Sequence, residues 1–382
     1  MNLIRSWVKK MYEEYLVRNF YIRVGHNSPY ALISYLPFPF RISIDSIEMR
    51  KHQNRREAIV IGEVFKEFGF NVDVIYFKKK IFLPHKDYSI VFGLEPNFEK
   101  FAKRNPKAIK IYYATGAYWK YQNSAIIKRT QEVNERRKSN LEPSRLVSPH
   151  ESAELADWII QIGSKFTIST YPPEMQHKII LVRQSSFEFL DANIKNKNYS
   201  FAKKKFLWFG GKGAILKGLD LLLEAFVKRP DLELFIAGAP EKDFVKEYAN
   251  ELFNTRNIHF LGWLDIKSEI LQQVADLCAF VILPSASEGV AGSVISMMRL
   301  GLVPVASIQA AIEEIEYFGF LIHGLTIQDV LSVVDRVSNL DEDEIYKRAK
   351  SAQDFAKRNF TIGTFKHDFE NVSRRILNLN DP

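Results

Sequence analysis

The chain has 382 residues, 46% of them hydrophobic, and a formal net charge of +8. That length makes two domains the natural expectation, and that apolar fraction supplies ample core and excludes a disordered or collagen-like chain. The positive balance suits an anionic ligand, an anionic membrane face or nucleic acid. No zinc-finger spacing, aromatic RNA-binding signature or basic-helix motif is present, so nucleic acid is not an expected partner. The single cysteine, Cys278, falls in an apolar run and reads as a small core residue. It permits no internal disulfide, which fits a reducing compartment. Charge interrupts Met1–Gly25 throughout, against a secretory signal, and no apolar run approaches the ~20 residues that span a bilayer. The expected location is cytoplasmic, either free or peripheral at the inner face of a membrane.

Residues 1–25 are expected to hold an N-terminal amphipathic helix. Over residues 2–20, Leu3, Ile4, Trp7, Val8, Met11, Tyr12, Tyr15, Leu16 and Phe20 share one face, with Arg5, Lys9, Lys10, Glu13, Glu14 and Arg18 on the other. The apolar face either docks on the protein or on a second copy, giving a homodimer, or lies on an anionic membrane surface, as Trp7 and the lysines would favour. Residues 26–195 then alternate strand and helix. Strands are expected at Ala31–Leu36, Asn71–Phe77, Tyr88–Gly93, Ile109–Ala114, Trp158–Ile162 and Lys178–Val182. The loop Pro37–Gln53 leads into an amphipathic helix, Asn54–Phe68, stopped by Gly69. The lysine-rich stretch Asp191–Lys205 reads as a linker.

A second alternation fills residues 196–350, with strands at Phe206–Phe209, Leu232–Ala237, Ile258–Leu261 and Cys278–Leu283. Helices over 351–382 are expected to pack back toward the first domain. The fold class is α/β, with two doubly wound parallel sheets. The acidic run Asp341–Glu344 reads as a helix N-terminal face and not as a metal site.

The densest functional signal is Ile282–Ser307, ILPSASEGVAGSVISMMRLGLVPVAS. A buried strand ends in a small-residue turn, a helix follows, and Gly301 precedes another short apolar strand. Ligands of open α/β sheets bind at such strand ends. Free amides at a helix N-terminus favour phosphate, whereas Glu288 in the turn is better suited to hydroxyls. A ligand bearing both phosphate and sugar fits. Gly210–Gly211–Lys212–Gly213 follows a strand directly, and Lys217–Gly218 precedes the next helix, so two lysines can reach a diphosphate. The strand Phe235–Ala237 ends in a tight turn at Gly238, and Ile258–Leu264 runs into Gly262, Trp263 and Leu264. Trp263 either flanks a nucleobase or packs in the core.

In the first half, Arg50-Lys51-His52-Gln53-Asn54-Arg55-Arg56-Glu57 enters a helix. This cluster, with His52 and Asn54 as candidates, either binds phosphate or sugar hydroxyls or is a solvated helix start. Tyr112 to Trp119, with Gln122 and Asn123 beyond, combines small residues, aromatics and amides after a strand. Thr115, Gly116, Tyr118 and Asn123 are candidates for an acceptor carbohydrate, against ordinary packing.

Lys212, Lys217–Gly218, FIAGAP, HFLGWL, LPSASEG and GLVPV, in this order over about Phe206–Gly324, resemble the donor domain of a retaining glycosyltransferase of family 4, the glycosyl transferases group 1. The resemblance implies a GT-B fold, two Rossmann-like domains facing across a cleft. It implies transfer of a sugar, hexosyltransferase-like, from a nucleotide-sugar donor to a glycan or lipid-linked glycan in polysaccharide or cell-envelope synthesis. Glu288, Lys212 and Lys217 would be catalytic. Lys212 stands where the family usually has arginine; it keeps the charge and loses the bidentate fork. Gly210, Gly211, Gly238, Trp263, Leu264, Gly289, Val290, Ala291, Gly292, Ser293 and Ser296 would bind donor. The chain departs from the Glu-x7-Glu motif at Ser296, as in a less common branch lacking the second glutamate. No Asp-x-Asp pair sits at a strand end, so neither metal nor cofactor is expected. Two other readings stay open: a non-catalytic nucleotide-sugar or glycan-binding partner, and an epimerase or phosphorylase on the same scaffold.

Overall fold

The computed structural model describes residues 14–15, 17–78 and 86–379. Most of the expected N-terminal helix lies outside these residues. Its last residue, Phe20, instead opens a short strand, β1 (Phe20–Ile22), antiparallel to β3 (Asn71–Tyr76). With β2 (Tyr30–Tyr35), β4 (Ile90–Gly93), β5 (Ile109–Ala114), β6 (Trp158–Ile162) and β7 (Ile179–Val182), these form a seven-stranded sheet in the order β1-β3-β2-β4-β5-β6-β7. All its pairings except that of β1 are parallel.

The second sheet is parallel throughout. Its strands are β8 (Lys205–Phe209), β9 (Glu233–Ala237), β10 (Ile258–Gly262), β11 (Phe280–Leu283), β12 (Val303–Ser307) and β13 (Phe320–Ile322), in the order β10-β9-β8-β11-β12-β13. The central strands are buried on both faces, which is why they read as unbroken apolar runs: every residue of β11 and β12 is buried. Strand order reverses between β2 and β4 in one sheet and between β8 and β11 in the other. Ligand crevices form at the carboxyl ends of strands flanking such a reversal.

Among the described residues, helices of eight or more residues are α1 (Asn54–Glu67), α2 (Asn97–Arg104), α3 (Trp119–Arg137), α4 (Leu219–Val227), α5 (Glu269–Leu277), α6 (Gly292–Arg299), α7 (Ile327–Ser338), α8 (Glu342–Asn359) and α9 (Ile362–Leu377). Gly69, at φ +87°, ends the turn after α1 as its sequence position foretold. Cys278 is fully buried in the second core, and burial pushes its thiol up to about 12, so it is an inert packing residue.

Two boundaries differ from the sequence reading. Asp191–Lys205 is not a free linker: Ile194, Tyr199 and Ala202 are buried in the core of the second domain, and Lys205 opens β8. The lysines around them mask these few apolar anchors. The chain also returns to the first domain only after residue 360, because α8 is one unbroken helix packed on the second domain. Helix α9 then lies on α1, with Phe365 and Phe369 fully buried in the first core.

The two crossings run side by side. Ser186 donates to the Phe360 carbonyl from its amide (3.0 Å) and its hydroxyl (2.6 Å), and the Glu188 carboxylate accepts from the Ile362 amide at 2.6 Å. Buried Glu57 on α1 receives the amide (2.6 Å) and hydroxyl (2.8 Å) of Ser185. A second connection is electrostatic. From α3, Arg129 meets Asp220 at 2.6 Å, Arg136 meets Asp220 at 2.9 Å, and Arg137 meets Glu251 at 2.6 Å. Arg129 and Asp220 are both buried, so this long helix of the first domain is bolted to the second.

Candidate functional site

The site grows from the end of β8. Beyond Phe209 the chain turns through Gly210–Gly213, and Gly218, at φ +68°, starts α4. A Cβ on Gly218 would lie 2.2 Å from the Pro284 carbonyl oxygen, so only glycine lets this loop touch the turn that follows β11. Two hydrogen bonds fix the contact, and a third ties the loop back to β8. The Ala286 amide (2.7 Å) and the Ser285 hydroxyl (3.2 Å) donate to the Leu216 carbonyl, and the Trp208 indole donates to the Lys217 carbonyl at 3.3 Å. Lys217 and Glu288, expected from opposite ends of this motif to serve one ligand, form an ion pair and are each about one-tenth exposed. The same Glu288 oxygen, Oε1, also accepts from Ser285 at 3.3 Å.

Gly289 brings the two domains together. A Cβ there would stand 2.3 Å from the Thr115 carbonyl oxygen and 3.0 Å from that of Ile162. The turn after β11 therefore abuts the ends of β5 and β6. Between the domains lies a cavity of about 540 Å³. It is lined from the second domain by Gly210, Gly211, Lys212, Lys217, Gly238, Trp263, Leu264, Glu288, Gly289, Val290, Gly292, Ser293 and Ser296. His52, Asn54 and Thr115 line it from the first. Trp263 is half-exposed and available as a stacking face.

Ala291 is the exception on the donor side; it is buried beneath the α6 N-terminus, where its amide donates to the Ala310 carbonyl. Three acceptor-side candidates also fall outside the lining. Tyr118 packs against Tyr171 in a core cluster, its hydroxyl bonded to Glu154. The Gly116 carbonyl receives the Gln161 amide. Asn123 accepts from the Val147 amide at 2.9 Å and donates to the Val147 carbonyl at 2.8 Å. It is a bracket for a loop and is not offered to sugar.

Several cavity residues went unnamed as candidates. Arg50, Lys51, Gln53 and Glu57 belong to the polar cluster before and in α1, whose density was the visible signal. Arg145, Gln184 and Phe187 had no local signal at all. The Gln53 amide reaches Gln184 at 3.2 Å.

The charge state follows from the surroundings. His52 faces the cavity between the domains and keeps solvent exposure there. The protein crowded around it, then repulsion from Arg55, Lys217 and Arg145, lowers its imidazole from the ordinary value to about 4. It is neutral at neutral pH. Burial raises the Glu57 carboxyl to about 7, opposed by its bonds from Ser185. The fixed positive charge on the cavity wall therefore comes from lysine and arginine. Ser296 is 5% exposed, and its hydroxyl donates to the Gly292 carbonyl at 2.8 Å, one turn back in α6. Among the described residues, no cluster of three or more His, Cys, Asp or Glu side chains is placed to hold a metal.

Residues 191–357 match the family described as Glycosyl transferases group 1. Solved structures share the whole architecture. Sucrose-phosphate synthase from Thermosynechococcus elongatus superposes with a TM-score of 0.59 at 14% identity, covering 93% of this chain and 100% of its own. A glycosyltransferase from Rickettsia africae gives 0.55 at 13%, covering 92% and 100%. Anabaena HepE, solved in complex with UDP and glucose, gives 0.53 at 14%, again covering 92% and 100%. The fold is thus GT-B, as the sequence resemblance implied. No curated protein matches the chain significantly.

Proposed function

We propose that the protein is a glycosyltransferase that moves a sugar from a nucleotide-sugar to a glycan or lipid-linked glycan, with retention at the anomeric carbon. The observation that carries this reading is the Lys217–Glu288 pair beside Lys212 on one wall of the interdomain cavity, within the segment that matches the group 1 family. That Anabaena HepE was solved with UDP and glucose supports a nucleotide-sugar as donor.

In this reading the diphosphate lies against Lys212 and Lys217, and the sugar reaches Glu288. Oε1 of Glu288 is committed to Lys217 and Ser285, which leaves Oε2 for donor hydroxyls. Because it is ion-paired, Glu288 orients the sugar and is not a free nucleophile. The acceptor oxygen attacks C1 from the face the diphosphate leaves. The C1–O bond to phosphate breaks, the C1–O bond to acceptor forms, and the acceptor proton passes to the departing diphosphate oxygen. The lysines stabilise the charge that develops there, and the cavity walls orient the partners. No step uses a metal. The surplus of basic residues favours acceptors presented at an anionic membrane face, as in cell-envelope glycan synthesis. Among the described residues no helix is long and apolar enough to cross a membrane.

A thermal-shift panel of UDP, GDP, ADP and dTDP sugars tests the donor site. A compound at 100 times its Kd adds about 2.7 kcal/mol of stability; silence across the panel rejects the assignment. With the responding donor, Glu288→Gln is expected to lower sugar transfer about 10- to 100-fold, the worth of about 1.5–3 kcal/mol for a charge-assisted hydrogen bond. Ser296, whose hydroxyl is turned into its own helix, favours a second reading, a binding partner without turnover. Release of free sugar or transfer product by the native chain excludes it.

A further inference from the structure

Arg145 has no counterpart in the donor motif and belongs to the other domain, yet it reaches the glycine loop. Its guanidinium donates to the Lys212 carbonyl at 3.4 Å, and its Cδ lies 2.7 Å from where a Cβ on Gly213 would be. Arg145 lines the cavity with Lys212 and Lys217. It forms no ion pair with any described carboxylate, and neither does Lys212, whereas Lys217 is already paired with Glu288. Two cations on this wall are therefore without a countercharge.

The chain goes to some lengths to hold Arg145 there. Its backbone is left-handed, at φ +63°, a conformation costly for a residue with a side chain and found where surrounding structure imposes it. Gln122 donates to the Arg145 carbonyl at 3.2 Å, and Asn123 clasps both backbone groups of Val147. Both amides project from α3, the helix bolted to the second domain. The loop's placement is thus referenced to the donor domain, although it belongs to the first.

The amides of the glycine loop are also partly taken. Those of Gly213 and Ala214 donate to the Glu241 carboxylate at 2.6 and 3.1 Å. A phosphate at this loop must draw on side chains, and Lys212 offers a point charge without a planar fork.

We propose that Arg145 is a donor-diphosphate ligand contributed by the acceptor-side domain, supplying the bidentate guanidinium that position 212 lacks. This rests on the donor-site reading above. Donor binding then requires both domains in register, since part of the phosphate grip comes from each.

The test measures binding of UDP, GDP, ADP, dTDP and inorganic pyrophosphate to the full chain and to Arg145→Ala and Arg145→Lys, with the parent nucleoside of the responding diphosphate as reference. The expected result is at least 10-fold weaker diphosphate binding for Arg145→Ala. A several-fold loss is expected for Arg145→Lys, which keeps the charge and loses the fork, with nucleoside binding unchanged in both. Unaltered melting of Arg145→Lys without ligand separates this from misfolding. Unchanged diphosphate affinity in both variants overturns the proposal and leaves the donor site standing. So does a rise in acceptor KM alone, which would place Arg145 on the acceptor. If the native chain binds none of the probes, the donor-site reading and this proposal fall together.

Discussion

Ser296 lies on the cavity wall where the resembling family commonly carries a glutamate, and its hydroxyl proton goes to the Gly292 carbonyl. Its remaining capacity toward a ligand is as an acceptor of limited reach. Ser296→Ala is accordingly expected to change nucleotide affinity by less than about 3-fold, below the ~1 kcal/mol of an average hydrogen bond; calorimetric titration of the responding nucleotide checks this. The cavity-lining candidates of the second domain were legible because they cluster in short local patterns: a strand, a glycine turn and a lysine or carboxylate within a few positions. Asn123 and Arg145 were not. Asn123 looked like a sugar-binding amide because its neighbours are aromatic and small, and its partner Val147 is named only by the folded loop. Arg145 sits in a stretch with no periodicity, and its meaning comes from Lys212, a residue of the other domain.

Among the elements, α3 does the unexpected work. Its sequence carries no local signal of partners for its three arginines, Arg129, Arg136 and Arg137. In the structure they meet Asp220, Glu224, Glu247 and Glu251 of the second domain. The Arg129–Asp220 pair is buried, so removing Arg129 strips a fully buried carboxylate of one of its two guanidinium partners and leaves it to Arg136 alone. Arg129→Ala is expected to destabilise the protein by about 3 kcal/mol, read by denaturant unfolding. Replacing exposed Lys128, which neighbours it on α3 and makes no such pair, serves as the control. Strand β13 and the anchors Ile194 and Tyr199 escaped the sequence reading for a related reason. Each is a short apolar feature among polar residues, and only the sheet edge or core it completes identifies it.

At the scale of the whole molecule, the two domains meet at the paired crossings, and Glu57 holds one of them through Ser185. Its carboxyl titrates at about 7 in the folded chain against an ordinary 4.5. The folded state therefore keeps a proton that the unfolded chain has already released. Stability falls as pH climbs from about 4.5 to about 7 and is level above that. The shift corresponds to about 3 kcal/mol. Glu57→Gln keeps an oxygen for both Ser185 donors and removes the titration. Melting temperature against pH is expected to decline for the native chain through that window and to decline less for the variant. His52 acts in the opposite direction between about 4 and 6.5 and is common to both, so the difference isolates Glu57. Two α/β units were readable from alternation, and their facing across a cleft was implied by the family resemblance. Their locking together was not, because it rests on pairs distant in the chain.

Helix α9 completes the core of the first domain with residues made after the entire second domain. In topological terms the second domain is an insertion within its neighbour. During synthesis the strands of the seven-stranded sheet emerge before the second domain, yet the side of Phe65 and Phe92 that Phe369 later covers stays bare until α9 leaves the ribosome. The inserted unit can close its own core earlier. The half that begins the chain is therefore the last to finish folding, and its open apolar face is where a chaperone would be needed during the interval.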